Sequence, residues 1–196
     1  MERIFYFVGG PSGVGKTTLI KKINKKRNLI ISTGKIYKFI INKKFKIKEK
    51  NLNLLKWKNY EDSFFSLLCS KIKDETKKNV VLDTHFAVNS PTGFLSGFSE
   101  KNLLKLTSIL KQNGFKKIYI IHILAPMEKI YQRIKLDKNR KRYFTREKIK
   151  ELLFFSEKYF NLFEKNLSKN IKVEKIKISN NSLPKSISLF INVIEK

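Results

Sequence analysis

The 196-residue sequence predicts an α/β fold of three layers, α/β/α, with a five-stranded parallel sheet at its centre. Three observations carry that prediction. Short apolar runs without alternation, RIFYFV (3–8) and NVVLD (79–83) above all, describe strands covered on both faces. Segments of helical length and polarity separate one such run from the next, so strand and helix alternate five times. The chain also lacks a linker, an internal repeat or a low-complexity tract, and its length suits one domain spanning 1–196.

The elements follow in order. Residues 3–8 form the first strand, a helix covers about 15–27, and NLIIS (28–32) is the second strand. From 34 to 78 the chain reads as mostly helical, with a lysine-rich, weakly patterned middle at 42–52 that suits a turn or mobile loop. There Cys69 shares a helical face with Phe65, Leu68 and Ile72, the position of a core thiol. NVVLD is the third strand and ends in an acid. A loop carrying Pro91, Gly93 and Gly97 leads to a helix near 99–113, which Gly114 stops before the strand FKKIYIIHILA. His122, inside that apolar strand, reads as a satisfied core histidine. Helices near 126–136 and 145–166, a strand near 171–178 and a last helix from Pro184 complete the chain.

Composition narrows the function classes. A hydrophobic content of 41% with 16 Phe excludes a disordered chain despite the formal charge of +27. The lysines are scattered from end to end, which fits a global bias that leaves a solvated basic surface; a nucleic-acid partner is the alternative. Arginine is used differently. Of Arg3, Arg27, Arg133, Arg140, Arg142 and Arg146, four fall between 133 and 146, where a planar five-donor fork has a use that lysine cannot serve. The single Cys69 excludes an internal disulfide and fits a reducing compartment. No segment reaches the roughly 20 apolar residues of a membrane span, and IFYFV is too short for a signal-peptide core. The expectation is a cytoplasmic protein without a membrane partner.

The stretch GGPSGVGKTT lies between the first strand and the first helix, and Gly10 to Thr17 satisfies G-x-x-x-x-G-K-[ST]. Glycines at 10, 13 and 15 let backbone N–H groups turn inward around a phosphate, and the following helix adds its unpaired N–H groups and positive dipole end. Lys16 supplies a full charge to the β and γ phosphates, and the Thr17 hydroxyl can ligate Mg²⁺. The predicted fold is therefore that of a P-loop NTPase, with Gly10, Pro11, Ser12, Gly13, Val14, Gly15, Lys16, Thr17 and Thr18 as the ATP-binding residues.

Other residues choose among the reactions a phosphate loop permits. A guanine-specific GTPase carries N-K-x-D, and neither Asn24-Lys25-Lys26 nor Asn42-Lys43-Lys44 is followed by Asp. Asp83, at the carboxyl edge of the sheet, suits a metal held through water; a cap role is the alternative. Arg133 lies on a helix, and 137–142 reads as a polar loop that can close over the phosphates and bring forks to the migrating phosphoryl group. A solvated basic loop is the bland reading.

These residues carry a resemblance. The phosphate loop at 10–18, Ser32-Thr33-Gly34 after the second strand, Val81-Leu82-Asp83-Thr84-His85, then Ser90-Pro91-Thr92-Gly93-Phe94-Leu95-Ser96-Gly97, and Arg133 with Asp137, Arg140 and Arg142 together resemble the archaeal-type adenylate kinase family. It spans residue 3 to about 178. The resemblance implies a P-loop nucleoside monophosphate kinase that converts MgATP and AMP to two ADP. It also implies an acceptor-binding helical segment over about 33–78, a short lid over about 137–145, and a homotrimer. It assigns Ser32, Thr33, Thr84 and His85 to the AMP side, and Lys16, Arg133, Arg140 and Arg142 to catalysis. Thr17 and Asp83 then serve the Mg²⁺. Lys38 stands where kinases of the wider class with S-T-G place an arginine, and no arginine occurs between 28 and 132, so Lys38 or Lys56 takes the acceptor phosphate. His85 reads as a substrate contact or a packing residue, since a phosphate acceptor needs no general base. Two other functions stay open: an RNA-associated ATPase, such as a ribosome assembly factor, and a kinase for CMP, UMP or dTMP.

Overall fold

The computed structural model describes residues 2–44, 54–73, 78–90, 93–137 and 144–195. Its centre is a parallel five-stranded sheet built from β1 (Arg3–Gly9), β2 (Asn28–Ser32), β3 (Asn79–Asp83), β6 (Phe115–Leu124) and β7 (Lys172–Ser179), in the order β2-β3-β1-β6-β7. β1 is central because it is apolar on both faces: Phe5, Tyr6, Phe7 and Val8 are all fully buried. The pleat sends them to opposite layers. Phe5 and Phe7 join a cluster with Leu68 and Ile72 of α3 (Leu54–Lys73), Leu106 of α4 (Glu100–Gln112) and Phe163 of α6 (Arg146–Leu167). Tyr6 and Val8 face Leu19 of α1 (Lys16–Ile20), Ile130 of α5 (Met127–Leu136) and Phe190 of α7 (Leu183–Ile194). Each large side chain buried this way contributes roughly 1.5–3 kcal/mol, so the expected three layers follow from the pattern of one strand. Among the described residues no helix is long and apolar enough to cross a membrane.

Two elements differ from the expectation. The first helix ends at Ile20, not near 27, and residues 21–27 form turns. Lys21, Lys22, Lys25 and Lys26 would repel one another across a continued helix, and the chain instead tightens through Lys22 N–H to Leu19 O and Ile23 N–H to Ile20 O bonds. Asn24 Oδ1 then accepts from the Lys26 N–H at 2.9 Å, a local turn that competes with helix. The second difference is the expected loop after β3. It contains an antiparallel hairpin, β4 (Ala87–Ser90) and β5 (Gly93–Ser96), paired from Ala87↔Ser96 to Ser90↔Gly93.

The helical region after β2 divides into α2 (Thr33–Lys44) and α3, joined by Tyr37 stacking on Phe64 at 4.5 Å. Residues 45–53, most of the expected mobile stretch, lie outside the described residues. Cys69 is buried on α3 beside Leu68 and Ile72 as the helical spacing requires, and burial pushes its thiol up to about 11 against the opposing pull of Lys73 and Lys105.

Candidate functional site

β1 has β3 on one side and β6 on the other, so the chain reverses its direction of travel across the sheet at β1, and the carboxyl ends there form the switch point at which open α/β sheets hold their ligands. Three chain turns meet at that edge. The phosphate loop leaves β1 at Gly9; Asp83-Thr84-His85 leave β3, with Asp83 level with Val8; and Ser32 ends β2 level with Asp83. The Thr84 N–H donates to Val8 O at 3.0 Å and draws this turn against β1.

Inside the loop Lys16 is 6% exposed, and its Nζ donates to Gly10 O at 2.6 Å and to Pro11 O at 3.0 Å. His85 closes the other side: Nδ1 lies 3.0 Å from Gly10 O and 3.4 Å from Lys16 Nζ. One nitrogen cannot both donate to the carbonyl and accept from the ammonium, and the shorter contact assigns Nδ1–H as donor to Gly10 O. The ammonium is thus held by two buried loop carbonyl oxygens, which are weaker acceptors than an anionic phosphate oxygen. Gly15 caps α1 in the left-handed region at φ 94°, with no side chain capping the helix, which leaves its first N–H groups for a ligand. By contrast α4 and α6 are capped by Ser99 and Thr145. Thr17 and Thr18 are exposed at the helix start.

The other expected residues are placed as follows. Thr33 and Thr84 are buried at the carboxyl edge, beside the half-buried Ser32, while Lys38 is exposed on α2. Arg133, half-buried on α5, donates from Nη1 to Gly13 O at 3.2 Å, so it braces the outside of the phosphate loop. Arg140 and Arg142 lie outside the described residues, as does most of the expected 137–145 lid; α3 includes Lys56, whose side chain is likewise outside them. For a metal, the site offers the Thr17 hydroxyl and the Asp83 carboxylate, a sparse oxygen set that fits magnesium, which keeps its waters and binds substrate phosphates. No group of three or more metal-ligating side chains occurs among the described residues.

The sequence reading missed two contributors. The hairpin fixes His85: the Gly97 N–H bonds Phe86 O at 2.8 Å, and a side chain at Gly97 would strike the His85 carbonyl. Tyr159 on α6 donates to Phe94 O at 3.0 Å and holds the hairpin to the body of the protein. The signal was the paired glycines at 93 and 97 flanking the three residues Phe94-Leu95-Ser96. The second contributor is Asn180, 1% exposed after β7, whose Nδ2 donates to Val14 O at 2.7 Å. Its only trace in the sequence is a strand ending at an Asn-Asn turn.

Comparisons with known proteins agree with this geometry. The profile of the AAA domain family matches residues 9–152. A guanylate kinase from Fusobacterium nucleatum is 27% identical over 126 residues, covering 58% of this chain and 68% of its own. Among solved structures, the tunicamycin resistance protein of Deinococcus radiodurans superposes with a TM-score of 0.57 at 12% identity over 99% of this chain and 96% of its own. The shikimate kinase of Acinetobacter baumannii, solved with shikimate, superposes at 0.50 and 18% identity over 100% and 92%. The fold is that of the P-loop kinases.

Proposed function

We propose that this chain, which belongs to the AAA domain family, is an ATP-dependent phosphotransferase with a nucleoside monophosphate, AMP first among them, as acceptor. The observation that carries the reading is the shared edge between the phosphate loop and the Thr84-His85 turn, where Lys16 Nζ lies 2.6 Å from Gly10 O and 3.4 Å from His85 Nδ1. A donor tail in the loop and an acceptor phosphate along Ser32, Thr33, Thr84 and His85 would meet at that lysine.

On this reading the N–H groups of residues 13–17 bind the ATP phosphates, and Lys16 trades the Gly10 and Pro11 carbonyls for β and γ oxygens. Thr17 would hold Mg²⁺ directly and Asp83 through water; when bound, the ion neutralises charge on the bridging phosphates. An acceptor oxygen attacks the γ phosphorus in line, the bond to the β–γ bridging oxygen breaks, and ADP leaves. The acceptor phosphate is already an anion, so His85 positions it and removes no proton. Lys38 serves the acceptor phosphate as a point charge, the arginines at 140 and 142 serve the migrating group, and Arg133 supports the loop through Gly13 O. A homotrimer, which the family resemblance implies, belongs to the same proposal and is checked by light scattering.

The likeness to a guanylate kinase favours GMP as a second acceptor reading. A coupled assay for ADP with MgATP and AMP, GMP, CMP, UMP or dTMP in turn decides between them. Strong dependence on AMP supports the proposal, and dependence on another monophosphate moves the acceptor. Equal turnover with no monophosphate present removes the kinase reading in favour of an ATPase.

A further inference from the structure

Phosphate-loop peptides can point their N–H groups inward only when the carbonyls of the same peptides point outward and find donors there. Three such carbonyls have donors in the structure, while Gly10 O and Pro11 O turn instead to Lys16 Nζ inside the loop. Gly15 O takes the Thr18 and Leu19 N–H groups at 3.1 and 3.2 Å. Gly13 O takes the Arg133 guanidinium at 3.2 Å, and Val14 O takes the Asn180 amide at 2.7 Å. The last donor comes from an element that no motif connects with the loop.

We propose that Asn180 is a positioning residue of the donor-nucleotide site: it fixes the Val14–Gly15 peptide so that the Gly15 N–H faces the phosphates. The inference rests on the reading that the loop holds a triphosphate. Three further observations support it. Asn180 is itself anchored, its backbone N–H donating to Leu124 O at 2.7 Å, so the brace ties the loop to the carboxyl ends of β6 and β7. Gly15 is fitted to it: a Cβ at Gly15 would land on Asn180 Nδ2, and Arg133 Nη1 would stand 3.7 Å away. Asn180 Oδ1 is buried without a hydrogen-bond partner among the described residues. A stranded buried acceptor is costly, and an apolar side chain would avoid it, so the donor half of the amide is what the position requires. The orientation follows too, since a flipped amide would set Oδ1 against Val14 O.

Asn180→Asp separates positioning from packing, because it keeps the shape and replaces the donor by a carboxylate facing the Val14 carbonyl. Asn180→Ala removes the donor without adding repulsion. Wild type and both variants are titrated with tripolyphosphate and with MgATP by calorimetry, with melting temperature and acceptor KM measured alongside. The expected order is wild type tightest, N180A weakened about threefold or more, and N180D weakened at least about tenfold, with acceptor KM within twofold of wild type. Tripolyphosphate binding by N180D within twofold of wild type overturns the proposal. So does a larger loss in N180A than in N180D, the order that packing alone would give. If N180D does not fold, N180A decides alone: unchanged tripolyphosphate affinity overturns the proposal, and a selective loss supports it. A wild type that binds tripolyphosphate yet phosphorylates no monophosphate would remove the proposed function and leave the brace standing.

Discussion

Lys16 shows how one residue type acquires a role through its surroundings. Many lysines in this chain are solvated, whereas this one is 6% exposed and held by two loop carbonyls. Lys16→Ala is expected to lower kcat/KM by about 10³-fold while the melting temperature shifts only slightly, because Gly10 O keeps its His85 Nδ1 contact at 3.0 Å. Steady-state kinetics with a thermal melt check both halves. His122 is fully buried in β6, Nε2 lying 3.0 Å from Ser156 Oγ, and burial outweighs the Glu157 carboxylate to lower the ring to about 4. It is therefore neutral at pH 7, and its 3.3 Å approach to Glu157 is not an ion pair there. Between pH 6.5 and about 4 the unfolded chain holds a proton that the native ring does not, so this contribution is complete above 6.5 and is lost as pH falls. The slope is about 1.4 kcal/mol per pH unit. Urea midpoints measured from pH 7 to 4 are expected to fall more steeply for wild type than for His122→Leu; parallel curves would contradict this account. The core role of His122 was legible in the sequence because its neighbours are all apolar. Asn180 was not, because nothing local distinguishes a loop-bracing asparagine from an ordinary turn residue.

At the scale of elements, legibility followed the range of the forces involved. The strands Asn28–Ser32 and Asn79–Asp83 stand at the bounds the sequence predicts, since a continuous apolar run has few alternatives to a covered strand. The end of α1 was obscured because its apolar spacing runs on to Ile23 while charge repulsion stops the helix at Ile20. The hairpin was obscured because its four-residue strands gain their stability from α6, far along the chain. Thr145 gives a local test of the same logic. Its side chain accepts from the Lys148 N–H at 3.2 Å at the start of α6, and Thr145→Ala is expected to cost about 1 kcal/mol in a denaturant titration. β7 is an edge strand, and exposed Lys175 and Lys177 pair with Glu164 and Glu157 of α6. Such charges discourage pairing with another chain, so the double change Lys175→Val and Lys177→Val is expected to raise aggregation, read by light scattering at constant protein concentration.

For the molecule as a whole, the charge of +27 includes a row of cations at the amino ends of the sheet. Each strand of the sheet starts at or beside a cation: Arg27 before β2, Lys78 before β3, Arg3 in β1, Lys116 in β6 and Lys172 in β7. At the opposite edge, residues 84–99 carry no Lys, Arg, Asp or Glu. Binding to a generic polyanion such as heparin is therefore expected to weaken steeply with salt and to be insensitive to saturating MgATP. Strong competition by MgATP would locate the polyanion at the phosphate loop instead. The buried thiol on α3 has a separate consequence for experiment. A sulfur with its pKa near 11, buried in the same cluster as Leu68 and Ile72, gives almost no thiolate at neutral pH. It is also the sole sulfhydryl in the chain, so thiol labelling reports on local opening around this one position of α3. The native protein thus carries its own single-site clock, and ligands that hold α3 in place would be timed by how far they slow it.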